Sequence, residues 1–351
     1  MLIYRTARKG PVNLARNVPM TLETRRLGGT SVEVTVLGLG GATLGGNMAQ
    51  LTDADARRLV TDAFDSGIRY FDTAPFYGYG RSEHMVGDGL RNQDGWVLSS
   101  KVGRRLKPRR APQSPNDPWT SPLAFEPWFD YSYDGTMRSY EDSLQRLGLD
   151  RIDILYIHDI DVFSHGPEQQ PKMHRTAMEG AYKALDELRR TGEIKAIGLG
   201  VNEAKPIADA LEHGQWDCFL LAGRYTLLEQ APLDTLFPAV AKHGASIVIG
   251  GPFNSGILAG RETWNYSKAP AEVLDRVKSI ARVCDAHGVP LAAAAMQFPL
   301  AHPLVASVIP GPRSAAELNQ IIAWTEAAIP PSLWSDLKNE KLIAKDAPVP
   351  R

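Results

Sequence analysis

Cysteine is almost missing from this chain: two residues in 351, Cys218 and Cys284, with no Cys-x-x-Cys pair. That excludes a disulfide scaffold and a thiolate-held metal, and it fits a reducing, cytoplasmic setting. Net charge is missing too. Lys and Arg number 39 against 40 Asp and Glu, so neither nucleic acid nor an anionic membrane is expected as a partner. No apolar run approaches the ~20 residues of a membrane span. A further absence is the fingerprint G-x-G-x-x-G after a strand. Gly38-Leu-Gly40 is followed by Thr43 where the third glycine would stand, which argues against a doubly wound dinucleotide-binding sheet.

What is present is alternation. Residues 1–20 read as a flexible N-terminal extension; Arg5, Arg8, Lys9 and Arg16 occur there with no acid, a composition that transit peptides share. Residues 21–351 read as one domain. Apolar, β-branched runs at 32–41, 68–73, 96–101, 152–158, 194–200, 216–221, 246–249 and 305–309 alternate with helical patterns. Continuous apolar runs belong to parallel strands buried on both faces. Eight such β/α units make a closed (β/α)8 TIM barrel the expected fold. A segment at 104–134, rich in proline, is expected to be a long irregular loop after strand three.

Active sites of such barrels lie at the C-terminal strand ends. Asp72 ends the second strand, Lys101 the third and His158 the fourth, with Tyr77 in the loop after Asp72. A charge closing an apolar strand is costly unless paired, so Asp72 and Lys101 are expected to meet. A merely structural ion pair would give the same pattern. The functional reading has a specific chemistry. A free phenol titrates near ~10 and transfers protons poorly at neutral pH. An ammonium beside Tyr77 would lower that value, Asp72 would hold the ammonium in place, and His158 would orient a substrate oxygen. Only Asp72 and His158 fall where a barrel metal site would use them, so no metal is expected.

The motifs Phe71-Asp72-Thr73-Ala74-x-x-Tyr77-Gly78-x-Gly80-x-Ser82-Glu83, Ser100-Lys101, Ser143-Leu-x-Arg146, Gly200-Val201-Asn202, Pro252-x-x-x-Gly256-x-Leu258-x-Gly260 and Ile309-Pro310-Gly311 stand in that order. On these the chain resembles the aldo-keto reductases over about residues 22–329. The resemblance implies a (β/α)8 barrel that binds a nicotinamide dinucleotide without a Rossmann fold. It also implies a catalytic set of Asp72, Tyr77, Lys101 and His158, with Tyr77 exchanging the proton while hydride passes between coenzyme and carbon. The stretches 129–135, 157–161, 223–228 and 250–258 are similar to the branch that oxidises cyclic hemiacetals of aldoses, or pyridoxal, with NAD. A small-molecule sugar, pyridoxal-like alcohol or carbonyl is the partner implied; the oligomeric state is left open.

The resemblance places the coenzyme against Gly41, Ala42 and Asp72, against Asn202 for the carboxamide, and against Gly251, Pro252, Phe253 and Ser255 for the pyrophosphate. Ile309, Gly311, Arg313, Glu317 and Gln320 would meet the adenosine end. Three family positions differ here: Val201 stands before Asn202 in place of a serine, Ala222 replaces a glutamine and Gly250 a stacking tyrosine. NADP-preferring relatives carry arginine near Glu317, so a carboxylate there favours NAD, while Arg313 pulls toward NADP. Glu317 also reads as a plain first-turn helix residue. Trp119, Phe125 and Trp128 are expected to wall the substrate pocket, or to be ordinary loop aromatics; the basic run from Arg104 to Arg110 reads as solvated. An NADPH-dependent carbonyl reductase and a coenzyme-sensing interaction protein are the alternative functions.

Overall fold

Eight short parallel strands form the centre of the computed structural model, which describes residues 22–48 and 50–351; the expected N-terminal extension lies outside the described residues. They are β1 (Leu39–Gly40), β2 (Tyr70–Asp72), β3 (Val97–Val102), β4 (Ile154–His158), β5 (Ala196–Val201), β6 (Cys218–Ala222), β7 (Ser246–Gly250) and β8 (Val305–Ile309). Their order in the sheet is their order in the chain. A parallel bridge from Leu37 to Val308 closes the circle. Gly38 N donates to Val308 O at 3.0 Å there, and Val308 N to Val36 O at 2.9 Å. The expected barrel is the observed one.

The two-residue period of a strand separates two cores. Phe71, Leu98, Leu155, Ile197, Phe219 and Ile247 point outward into the large cluster beneath the helices. Tyr70, Ile154, Tyr156, Cys218, Leu220 and Val248 point inward, where Leu27, Val32 and Val34 pack against them. Val34 comes from an antiparallel pair, Thr24–Arg26 with Glu33–Thr35, and Leu27 and Val32 from the turn that joins it; this hairpin plugs the N-terminal end. The single strand expected at 32–41 is therefore two. Thr35 makes the turn between them: its hydroxyl donates to Leu37 O at 2.7 Å and accepts from Arg69 N at 3.1 Å. Two large rings fit inside because glycines leave room. A Cβ on Gly38 would stand 2.9 Å from the Tyr70 ring, and one on Gly198 would stand 3.1 Å from the Tyr156 ring.

Helices α1 (Asp53–Asp65), α2 (Arg81–Leu90) and α3 (Tyr133–Leu147) cover β1–β4. Thr52 and Ser132 cap α1 and α3 with side-chain oxygens, satisfying N–H groups that the helix leaves free. Several polar motif residues serve this layer. Glu83 is fully buried, accepting from Ser100 Oγ at 3.0 Å and from Arg146 Nε at 2.6 Å. Ser82 joins Thr73 and Gly41 O, both at 2.8 Å.

The 104–134 segment departs from expectation. Arg104–Pro108 and Phe125–Phe129 pair as an antiparallel ribbon, with Leu106 opposite Pro127. Proline is tolerated on so narrow a ribbon, where one side of each strand is unpaired. A second, smaller ribbon pairs Thr263–Trp264 with Ser267–Lys268. Its turn, Asn265 and Tyr266, has φ of 48° and 63°, the two left-handed residues of a tight hairpin. Among the described residues, no helix is long and apolar enough to cross a membrane.

Candidate active site

Register brings the strand-end residues together. Asp72 on β2 lies opposite Ser99 on β3, and Lys101 follows two residues later on the same inward face. Lys101 Nζ donates to Asp72 Oδ2 at 2.7 Å and to Thr73 O at 2.9 Å. Both side chains are almost entirely buried, at 1% and 2% exposure. Gly200 on β5 makes space for the lysine stem: a Cβ there would stand 3.3 Å from Lys101 Cε. The ammonium lies over the Tyr77 ring, 4.6 Å from its centroid. The His158 ring meets Tyr77 edge-on at 5.8 Å, and Trp119 stands 5.7 Å away on another side.

The electrostatics differ from expectation at the phenol. Desolvation, then Asp72 and Asp159, hold Tyr77 well above its ordinary value, with Arg104 opposing. Lys101 was expected to lower it. Its charge is instead met by Asp72 and the Thr73 carbonyl, and it faces the ring rather than standing alone beside the oxygen. Burial, followed by Lys101 and Arg104, pushes His158 well below its usual range, so the imidazole is neutral. Burial also raises Asp72, against the pull of Lys101 and Ser99.

Sequence reasoning gave no role to two charged neighbours. Arg104, read as solvated, is enclosed: its guanidinium lies 3.9 Å from the Phe76 centroid and 4.7 Å from that of Phe129. It donates to Asp159 Oδ2 at 2.7 Å. That same oxygen is 3.3 Å from His158 Nε2, and Asp159 Oδ1 accepts from Asn202 Nδ2 at 3.1 Å. Burial raises Asp159 to about 6, with Arg104 pulling down. Its backbone φ of 53° turns the carboxylate away from the strand path. The signal was present, since Asp159 directly follows His158 at the strand end.

Beside the tetrad of Asp72, Tyr77, Lys101 and His158 opens a cleft of about 310 Å³. Gly41, Ala42, Asp72 and Tyr77 line one end of it. Gly251, Pro252, Phe253 and Ser255 line it as well, as do Ile309, Gly311, Arg313, Glu317 and Gln320. Asn202 is not part of this lining; its amide is committed to Asp159 and to Asp161, and its Oδ1 accepts from Tyr266 at 3.1 Å. Trp119 is buried against Phe76 and Tyr77. Phe125 and Trp128 sit exposed on the ribbon, Trp128 under Arg105, and neither lines the cleft. Arg313 and Glu317, expected to pull in opposite directions, bind each other. Glu317 Oε2 accepts from Arg313 N at 2.7 Å and Nε at 3.0 Å, with a further Nη2 contact to Oε1. The small ribbon closes over the cleft: Arg224 Nη2 donates to Asn265 Oδ1 at 2.6 Å, and Tyr266 N to Ser255 Oγ at 2.9 Å.

Residues 36–339 match the Aldo/keto reductase family. The chain belongs to that family. It is 48% identical over 336 residues to pyridoxal 4-dehydrogenase of Microbacterium luteolum, covering 92% of this chain and 98% of that one. It is 38% identical over 324 residues to D-threo-aldose 1-dehydrogenase of a Pseudomonas species, covering 88% and 95%. The holo form of aldo-keto reductase AKR11C1 from Bacillus halodurans matches with a TM-score of 0.71 at 25% identity, over 94% of this chain and 98% of that one.

This aldo-keto reductase is an oxidoreductase, and its family uses a nicotinamide dinucleotide. The cleft fits such a coenzyme on its own chemistry. Gly223, Gly250 and Gly251 present bare main chain. A Cβ on Gly223 or Gly251 would find nothing nearer than 3.6 Å and 3.8 Å, so side chains there would fill the cleft itself. Gly223 and Gly251 hold left-handed φ of 65° and 57°, which leaves glycine the favoured residue. Ser314 caps the helix Ala315–Glu326, whose first-turn Glu317 lines the same space. Among the described residues, no group of three or more His, Cys, Asp or Glu side chains is arranged to hold a metal.

Proposed function

We propose that this aldo-keto reductase oxidises a neutral cyclic hemiacetal, of an aldose or a pyridoxal-like compound, to its lactone with NAD. The observation that carries the reading is the assembly of Tyr77, Lys101, Asp72 and His158 around one point at the mouth of the coenzyme cleft. Tyr77 takes the hydroxyl proton as the alcohol is oxidised, and returns it when a carbonyl is reduced. Lys101, anchored by Asp72, is held over the Tyr77 ring with its charge balanced by that carboxylate. Neutral His158 donates or accepts one hydrogen bond at the same substrate oxygen. The nicotinamide, when bound, carries the hydride, and its oxidised form adds a positive charge that favours the Tyr77 phenolate.

Relatives named for pyridoxal and D-threo-aldose support the hemiacetal class. Neutrality is supported at the rim. Arg104 is already paired with Asp159 and Arg224 with Glu229, so a phosphate or carboxylate on the substrate would compete with existing ion pairs. Trp119 supplies an apolar wall on the Tyr77 side for a ring substrate. NAD is favoured over NADP because Arg313 is held by Glu317, leaving a carboxylate where a 2′-phosphate would lie.

A second reading is an NADPH-dependent carbonyl reductase. The raised Tyr77 favours it, since a phenol that keeps its proton is ready to donate to a carbonyl. One screen separates the two. Coenzyme absorbance is followed with free aldoses, pyridoxal, their phosphate esters and simple secondary alcohols, using NAD and NADP in parallel. NAD reduction by a free hemiacetal, weaker with its phosphate ester, is the expected result. Turnover only with NADPH and simple aldehydes would overturn the hemiacetal proposal.

A further inference from the structure

Inside the barrel, beneath the tetrad, lie three buried groups that the reaction as described does not use: Tyr70, Tyr156 and Cys218, each 0% exposed. They form a line with Ser99. Cys218 Sγ is 3.6 Å from Tyr156 OH. Tyr156 OH is 3.1 Å from Tyr70 OH, and Tyr70 OH is 3.1 Å from Ser99 Oγ. Ser99 Oγ is 2.7 Å from Asp72 Oδ1, the oxygen that Lys101 does not take.

The direction of this line follows from the inventory of donors. An ionised carboxylate only accepts, so Ser99 donates to Asp72. Each hydroxyl has one hydrogen, so Tyr70 must donate to Ser99 and Tyr156 to Tyr70. The thiol of Cys218 closes the line by donating to Tyr156. The other acceptor near Ser99, Phe71 O, is 3.5 Å away and cannot compete with a 2.7 Å charge-assisted bond. Hydrogen bonds arranged head to tail polarise one another, and in a low-dielectric interior each strengthens the next. The packing is built around the line: Gly198 faces inward between Tyr156 and Cys218, where a Cβ would meet the Cys218 carbonyl oxygen and the Tyr156 ring.

We propose that Ser99, Tyr70, Tyr156 and Cys218 form a one-way hydrogen-bond relay, sealed inside the barrel, that keeps Asp72 ionised and thereby keeps Lys101 charged and fixed beside Tyr77. Ser99 is a positioning residue in this scheme, and the tyrosines act through it. The relay offsets a real cost, since burial alone drives Asp72 toward its neutral acid. A neutral Asp72 would release Lys101 and leave Tyr77 without its support. The relay rests on the tetrad reading, but it makes a separate statement: the ionisation of Asp72 is set from below, by groups that never touch substrate or coenzyme.

The test follows Asp72 directly. Protein labelled with ¹³C at the aspartate carboxyls is titrated, and the Asp72 signal is identified as the one missing from Asp72→Asn. Ser99→Ala is expected to raise the Asp72 titration by about one pH unit and to move the acid limb of kcat/KM with it. Tyr70→Phe keeps the ring, removes only the oxygen, and is expected to give a smaller shift of the same sign; it keeps the test open if Ser99→Ala does not fold. Ser99→Thr, which retains the hydroxyl, should restore the wild-type titration. Ser100→Ala serves as the control: its hydroxyl faces outward to Glu83, so it is expected to lower thermal stability with no shift of Asp72. An Asp72 titration unmoved in both Ser99→Ala and Tyr70→Phe would overturn the relay, even with the tetrad intact. Full turnover in Tyr77→Phe would instead overturn the tetrad, whatever Asp72 does.

Discussion

The two sides of the barrel mouth are made of opposite materials. At the ends of β2–β4, Asp72, Lys101 and His158 project as ionisable side chains, each at 5% exposure or less and held by named partners. Near the ends of β6–β8, Ala222, Gly223, Gly250, Gly251 and Gly311 offer almost nothing but main chain. The first side needs particular residues at fixed register; the second needs the absence of side chains. On the proposed reading, reaction and coenzyme binding are separable, and substitutions on either side should split kcat from coenzyme affinity.

The largest break in that comparison is expected at Lys101. Lys101→Met should lower kcat by about 10³-fold or more, the scale of a lost acid–base device, with coenzyme affinity nearly unchanged. Steady-state rates beside a fluorescence titration of the reduced coenzyme read both. On the opposite side, Gly251→Val puts a branched side chain at φ 57° and into the cleft. Coenzyme affinity should fall by about 100-fold, combining backbone strain with lost access. A fall in kcat at saturating coenzyme, with affinity retained, would show that the two sides are not separable in this way.

The Arg313–Glu317 pair sharpens the comparison at smaller scale. Glu317→Arg removes the carboxylate and frees Arg313, so the preference for NAD over NADP should shift by about tenfold toward NADP, measured as the ratio of dissociation constants. An unchanged ratio would exclude Glu317 as the determinant.

The smallest effect concerns stability. Burial lowers His158 well below its usual range, and it also lowers His165, His174 and His302, the last to about 4. An unfolded chain titrates these near ~6.5, so below that pH it binds protons that the folded form refuses, and stability falls with pH. Asp159, raised to about 6, works the other way, because its folded form keeps the proton more tightly as pH drops from about 6 toward 4. Asp72, which burial also raises, works in the same direction as Asp159, and four histidines against these two aspartates give a net loss. The melting temperature should fall by about 5 °C between neutral pH and pH ~5.5. A flat or rising profile would contradict the burial of these imidazoles.

The same contrast explains what could be read from the sequence. Asp72, Lys101 and His158 were legible because a charge at the end of an apolar strand is costly and demands a partner. The barrel was legible from the alternation that produced those strands. Arg104 was not, because the rings and carboxylate that enclose it, Phe76, Phe129 and Asp159, converge only in the folded chain. Tyr266 was hidden in the same way: a tyrosine at positive φ carries no composition signal, and its bonds reach across to Asn202 and Ser255. One apolar run at 32–41 could not say that it serves both plug and barrel wall. The effect on Tyr77 was misjudged by counting Lys101 without the Asp72 charge that balances it.

The central claim is that Tyr77 moves the proton while the glycine-built side holds the coenzyme. Tyr77→Phe removes a single oxygen and tests it most directly, with turnover and reduced-coenzyme fluorescence measured on the same sample. Turnover should fall by about 10³-fold or more while the coenzyme dissociation constant stays within about threefold of wild type. Turnover retained near the wild-type rate would contradict the account.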